Sequence, residues 1–362
     1  MLISFLLAAT VEKTFYQVNC FLRGSMRILF DPEPRSANEI FSDSDRALFF
    51  KNHDVIEVTE SNRSRAYEEH LPVAEILISQ QPMSTASLSK AKNLKAIFNV
   101  ETNFKPNIDY EACFARGIHV LTPASVFALP VAEIGLGMAL SIARNIHGAH
   151  VDFVGGRERY GLDGNAQSIL LSGSDVGFVG FGDLGRALHN LLYPFKARIR
   201  AYDPWLPKGF LDRQGVESVT LDTVLSQSDI IFIVASVTTE NQHLLNKETL
   251  ARVRDGGIII LLSRAALVDF AALSSEAASG RLKFATDVFP QEPVPEDDLI
   301  RRTPGILFSA HRAGALTSAL QAIGSHVLED LSLINRGLPP ITCRRAERET
   351  VEMLRSKQIE LS

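Results

Sequence analysis

A chain of 362 residues with 46% hydrophobic side chains has room for two packed domains rather than one. Its 37 Lys and Arg against 42 Asp and Glu leave a net charge of −5, and no long basic run occurs, so electrostatics give no support to a nucleic-acid or membrane-surface partner. The three cysteines, Cys20, Cys113 and Cys343, are too far apart for a zinc motif or a disulfide framework. They predict no metal site and a reducing, cytoplasmic setting.

Met1 to Thr10 is apolar, but no cation precedes it and it is too short to span a bilayer. Met26 stands directly before a good strand, so residues 1–25 are expected to be a disordered or misannotated extension. From there apolar strand candidates at 27–31, 54–59, 74–79, 95–101 and 118–122 alternate with helical stretches such as 36–50 and 108–116. That alternation predicts a parallel sheet covered by helices. Residues 126–146 are rich in Ala, Gly, Leu and Ile. Glu133 and Pro130 argue against a membrane helix there, and a buried helix or a subunit interface is expected instead. The polar, glycine-containing 153–174 region reads as the approach to a second domain.

A second block then carries strands near 175–180, 198–202, 229–235, 257–262, 283–287 and 305–309, the six of a complete dinucleotide-binding fold. Its first turn holds Gly180, Gly182 and Gly185 in G-x-G-x-x-G spacing, with Asp183 and Leu184 between them. Such a turn is weak evidence alone, but here a short apolar strand precedes it and leucines at helical spacing follow it. Gly180 permits the tight turn, Gly182 lets the backbone approach a pyrophosphate, and Gly185 lets the helix pack close to the strand. The free N–H groups of the helix start attract phosphate. Asp203 closes the next strand, where a carboxylate accepts hydrogen bonds from ribose hydroxyls and repels the 2′-phosphate of NADP; no Arg follows before Arg213. NAD is the expected cofactor. After residue 316 a helix is expected to about Asn335, and the charged tail from Arg344 to Ser362 is expected to continue as an exposed helix.

A nicotinamide enzyme also has to move a proton and hold an anionic substrate, tasks suited to His and Arg. Arg264, Glu292 and His311 all follow predicted strands, where open α/β sheets bind ligands. Together with Val176–Gly185, the segments Ser263–Asp269, Asp287–Pro293 and Ser309–Gly314 resemble the D-isomer-specific 2-hydroxyacid dehydrogenases over residues 27–340. The resemblance implies two Rossmann-like or flavodoxin-like domains with doubly wound parallel sheets, the nucleotide domain (125–316) inserted in the substrate domain (26–124 and 317–345), and a charged tail at 346–362. It further implies that Arg264 binds and polarises a 2-oxo acid, that His311 donates the proton, and that Glu292 hydrogen-bonds the imidazole and favours its protonated form. Asp287 is similar to the residue that touches the nicotinamide carboxamide. A homodimer through the 126–146 region is the expected assembly, with a small 2-hydroxy or 2-oxo acid as partner.

The chain departs from that family in the 99–109 loop, which lacks glycine and carries Glu101, Lys105 and Pro106, and in Arg312, which stands where an apolar residue usually follows the histidine. The altered loop motivates one alternative of another class, an NAD(H)-sensing, corepressor-like binding protein. Formate oxidation ranks lower, since formate enzymes of the family use Gln where Glu292 stands.

Overall fold

The short apolar runs become buried parallel strands in a computed structural model that describes residues 24–101 and 103–354. The first sheet contains β1 (Arg27–Asp31), β2 (Asp54–Glu57), β3 (Ile76–Ser79), β4 (Ala96–Phe98) and β5 (His119–Thr122). The second contains β6 (Asp175–Val179), β7 (Arg198–Tyr202), β8 (Glu217–Ser218), β9 (Ile230–Ile233), β10 (Ile258–Leu261), β11 (Lys283–Thr286) and β12 (Ile306–Phe308). The chain then returns through the Thr317–Asn335 helix and adds β13 (Arg344–Arg345) to the first sheet, antiparallel to β5. The second sheet is thus nested within the chain of the first, as the resemblance implies.

Strand order in the first sheet is β13-β5-β4-β3-β1-β2, and in the second β12-β11-β10-β9-β6-β7-β8. The central strands β9 (IIFI) and β10 (IIIL) are apolar at every position because helices cover both faces of a parallel sheet. In the second sheet the order reverses between β6 and β9, and the crevice at such a reversal is where a doubly wound fold takes its ligand. The glycine turn follows β6 at that point.

Three expected elements differ from those observed. The 36–50 helix is two helices, Ala37–Ile40 and Asp43–Asn52, because Phe41 is extended and the Ser42 hydroxyl caps the second by accepting from Asp45 N–H at 3.1 Å. The Ser-Asp-Ser-Asp run from Ser42 offers a competing helix start that outweighs continued helical spacing. The 126–146 helix begins as a 3-10 turn at Ala124–Phe127, runs as Ala128–Ala143, and stops before Asn145, whose left-handed backbone (φ 49°) starts a further helix at Ile146–Val154.

The C-terminal tail is not one exposed helix. Arg344–Arg345 is strand, Ala346 and Val351 are buried in the first domain's core, and Val351–Leu354 forms one short helix. Residues 1–23, which include Cys20, and 355–362 lie outside the described residues.

The Ala124–Ala143 stretch is long and apolar enough to cross a membrane by length and composition. Here it lies against the second sheet and the Asp183–Leu192 helix, burying Ala132, Gly135, Met138, Ala139 and Ala143.

The C-terminal segment is held by one buried carboxylate. Asp330, on the Thr317–Asn335 helix and fully buried, accepts the backbone N–H groups of Ile341 (2.9 Å), Thr342 (3.0 Å) and Cys343 (2.8 Å). A buried carboxylate is costly without such partners, so its three bonds fix the segment's path as β13 approaches β5.

Candidate active site

Two adjoining clefts open at the C-terminal ends of the strands. The first, about 640 Å3, follows the glycine turn and is walled by Gly180, Gly182, Asp183, Asp203 and the 234–238 loop after β9. The second, about 730 Å3, is lined by Arg264, Glu292 and His311 and by Asn103 and Phe104 of the 99–109 loop. The 234–238 loop lies on the wall of both.

The glycine turn fits a dinucleotide for reasons visible in its backbone. Gly180 has φ +88°, and a Cβ there would stand 2.5 Å from the Cα of Ala235. Only glycine satisfies both conditions. A Cβ at Gly182 would meet nothing within 4 Å, so the backbone is open to the cleft. At Gly185 a Cβ would lie 3.1 Å from the Gly180 carbonyl, which sets how closely the helix approaches the strand. Asp183–Leu192 begins with Gly182 as N-cap and no side-chain cap, leaving its first N–H groups for an anion. Leu184, expected among the cofactor-binding residues, is half-buried against the core and stands on the wall of neither cleft, because its side chain belongs to the helix's apolar face.

Asp203 links the turn to the next strand. Its Oδ2 accepts Phe181 N–H at 2.8 Å and its Oδ1 accepts Trp205 N–H at 2.9 Å, and the side chain stands on the cleft wall. Asp203→Ala is expected to narrow the preference for NADH over NADPH by roughly tenfold through loss of like-charge rejection. An unchanged ratio of the two kcat/KM values would remove Asp203 from cofactor selection.

In the second cleft, His311 Nδ1 lies 2.5 Å from Glu292 Oε2, while the other oxygen of Glu292 accepts Phe289 N–H at 2.8 Å. With Nδ1 donating to a carboxylate, Nε2 is the ring nitrogen left to face the cleft. His311 has φ +46°, an uncommon backbone state outside glycine. Asp287 holds it there: its carbonyl accepts His311 N–H at 2.7 Å, and its buried carboxylate accepts the N–H groups of Arg312 and Ala313, each at 3.1 Å. Asp287 stands on the wall of neither cleft, and Arg312 likewise contributes to neither.

Arg264 follows β10 in extended conformation and donates to the Ser263 carbonyl at 2.7 Å. The Arg264 side chain is solvent-exposed at the cleft wall; desolvation by the surrounding protein lowers its pKa from the usual guanidinium value, and the Glu292 carboxylate opposes that shift. The guanidinium nevertheless stays cationic.

The departures in the 99–109 loop resolve into a specific packing. Glu101 is paired with Arg35 at 2.8 Å, a partner 66 residues away in the sequence. The buried Asn99 side chain accepts Glu101 N–H and donates to the Asn103 carbonyl, each at 2.8 Å, which shapes the turn without glycine. Sequence reasoning missed Arg35, and it also missed Arg344, which stands on the wall of both clefts.

A dinucleotide turn at a strand-order reversal, joined to a cleft with a carboxylate-bound histidine and a cation, defines a nicotinamide-dependent oxidoreductase. A family model described as D-isomer specific 2-hydroxyacid dehydrogenase, NAD binding domain, matches residues 136–313. A hydroxypyruvate reductase from Thermotoga maritima is 30% identical over 297 residues, covering 80% of this chain and 94% of that protein. A D-3-phosphoglycerate dehydrogenase from Methanocaldococcus jannaschii is 28% identical, and the match covers 78% of this chain and 54% of that longer protein. Among solved structures, a phosphoglycerate oxidoreductase from Rhizobium etli is 48% identical with a TM-score of 0.83, covering 90% of this chain and 100% of that one. The chain belongs to the D-isomer-specific 2-hydroxyacid dehydrogenase family, NAD-dependent oxidoreductases acting on CH–OH groups.

Proposed function

We propose that this protein interconverts a D-2-hydroxy acid and its 2-oxo acid, with His311 as acid/base, Glu292 as its positioning partner and Arg264 as the substrate-binding cation. The observation that carries the reading is the His311–Glu292 contact of 2.5 Å in the same cleft as Arg264. Arg264 binds the carboxylate and draws electron density from the C2 carbonyl. His311 gives a proton from Nε2 to the C2 oxygen during reduction and takes it back during oxidation. Glu292 fixes the ring's orientation by accepting its Nδ1–H, which leaves Nε2 toward the cleft. Bound NAD(H) supplies the hydride exchanged with C2. Gly180, Gly182, Asp183, Leu184 and Gly185 would hold its pyrophosphate through backbone groups, and Asp203 its ribose. Asp287 serves the site by holding the 311–313 backbone, in addition to any contact with the nicotinamide. The names of its relatives make hydroxypyruvate and 3-phosphohydroxypyruvate the first substrates to try.

The test is isotopic. With NADH deuterated at the transferable C4 position, the label is expected at C2 of the hydroxy acid, with the D configuration on chiral chromatography. Label in solvent, or an L product, would defeat the reading. The alternative of an NAD(H) sensor loses much of its motive, because Arg35 neutralises the loop acid Glu101.

The substrate domain of this reading spans 26–124 and 317–345, and the nucleotide domain 125–316. A homodimer through the 126–146 region accounts for the exposed Leu129 (53%) and Ile146 (57%) there, and for Phe153 (63%) and Val154 (74%) just beyond it. Light scattering is expected to give twice the 39.8 kDa chain mass; a single chain mass would reject the dimer. A cytoplasmic location, with neither membrane nor nucleic acid as partner, is part of the same reading. It is supported by the free, buried Cys113 and Cys343, whose thiols burial pushes up, that of Cys113 to about 12.

A further inference from the structure

We propose that Arg344, carried into the clefts by the C-terminal segment, binds the pyrophosphate of the dinucleotide; this rests on the NAD-dependent reading above. Ile341, Thr342, Cys343 and Arg344 line the first cleft together with Gly180, Gly182 and Asp183 of the glycine turn. Arg344 alone of the four also reaches the second cleft. The segment is built for a fixed position. Asp330 holds the N–H groups of residues 341–343, and β13 pairs Arg344 with Thr122 at the end of β5.

Charge in the first cleft points to the same role. Its acids are Asp183, Asp203 and Glu240, and its cations are Arg186 and Arg344. Arg186 is spent on an ion pair with Asp183. Among the described residues, the Arg344 side chain has no hydrogen-bond or ion-pair partner, whereas that of its neighbour Arg345 is paired with Glu347 at 2.8 Å. A pyrophosphate brings two negative charges into a cleft where acids otherwise predominate. The start of the Asp183–Leu192 helix supplies only about half a positive charge. Arg344 supplies a full one, in a geometry suited to bidentate phosphate binding. The continuity of residues 341–344 along the first cleft favours the cofactor over the substrate as the source of the phosphate.

Calorimetric binding of ADP-ribose and of adenosine to the full-length protein separates the possibilities. Arg344→Ala is expected to weaken ADP-ribose binding ~10-fold and leave adenosine binding unchanged. Arg345→Ala is expected to leave both unchanged, showing that the guanidinium rather than the strand is responsible. Equal ADP-ribose affinity in wild type and Arg344→Ala would overturn the assignment while leaving the NAD-dependent reading intact. So would equal losses in the two variants, or an Arg344→Ala effect confined to the KM of a phosphorylated 2-oxo acid. Failure of the wild type to bind ADP-ribose would overturn both.

Discussion

Replacing His311 with alanine is expected to lower kcat by about 10^2–10^4 while NADH affinity stays within a few-fold of wild type. The ring's Nδ1 is committed to Glu292, so Nε2 is the one nitrogen that can pass a proton to the C2 oxygen. His311 stands on the wall of the second cleft and not of the first, so its loss leaves the dinucleotide's surroundings in place. The substitution has a structural side effect: at φ +46° an alanine is disfavoured by roughly 1 kcal/mol. His311→Asn serves as the control, since asparagine tolerates the left-handed region far better. Both variants are expected to be equally inactive and to melt cooperatively. Substantial turnover by either would remove His311 from the proton transfer. Concurrent loss of NADH binding in both would assign it a structural task instead. Glu292→Ala, which frees the ring's Nδ1, is expected to lower kcat by roughly tenfold while NADH affinity stays unchanged, because the ring loses the contact that orients it.

Arg264→Gln is expected to lower kcat/KM for the 2-oxo acid by roughly 10^2–10^3, with both a higher KM and a lower kcat. The guanidinium has two tasks, holding a carboxylate and stabilising charge as it develops on the C2 oxygen, and a neutral amide does neither well. The guanidinium is exposed on the wall of the second cleft, where an incoming carboxylate can meet it directly. Arg264→Lys is expected to recover part of KM but little of kcat, because a point charge cannot reproduce the planar fork. Wild-type kinetics in Arg264→Gln would leave carboxylate binding to another group.

Much of this site was legible in the sequence because its residues sit where strands end. Gly180, Gly182, Gly185 and Asp203 follow β6 and β7, and Arg264, Glu292 and His311 follow β10, β11 and β12, so reading the strands was enough to bring them to one edge. Other features depended on contacts that spacing does not encode. Arg344 sits in a two-residue strand, too short to show a period, and reaches the cleft only because the distant Asp330 holds the segment before it. The Arg35–Glu101 pair joins loops after β1 and β4 that adjoin only once the sheet has formed. Asp287 could be placed at a strand end from sequence, but its use in holding the backbone of residues 311–313 required the loop's path. The break at Phe41 was signalled by Ser42 as a helix start, a local signal overridden in the reading by the helical spacing around it.

The central claim is tested most directly by NADH oxidation with purified protein and a panel of 2-oxo acids: glyoxylate, hydroxypyruvate, pyruvate, phenylpyruvate, 2-oxoglutarate and 3-phosphohydroxypyruvate. Turnover of at least one of them, abolished in His311→Ala, is the predicted result. A protein that binds NADH yet turns over none would contradict the account and leave the sensor as the better description.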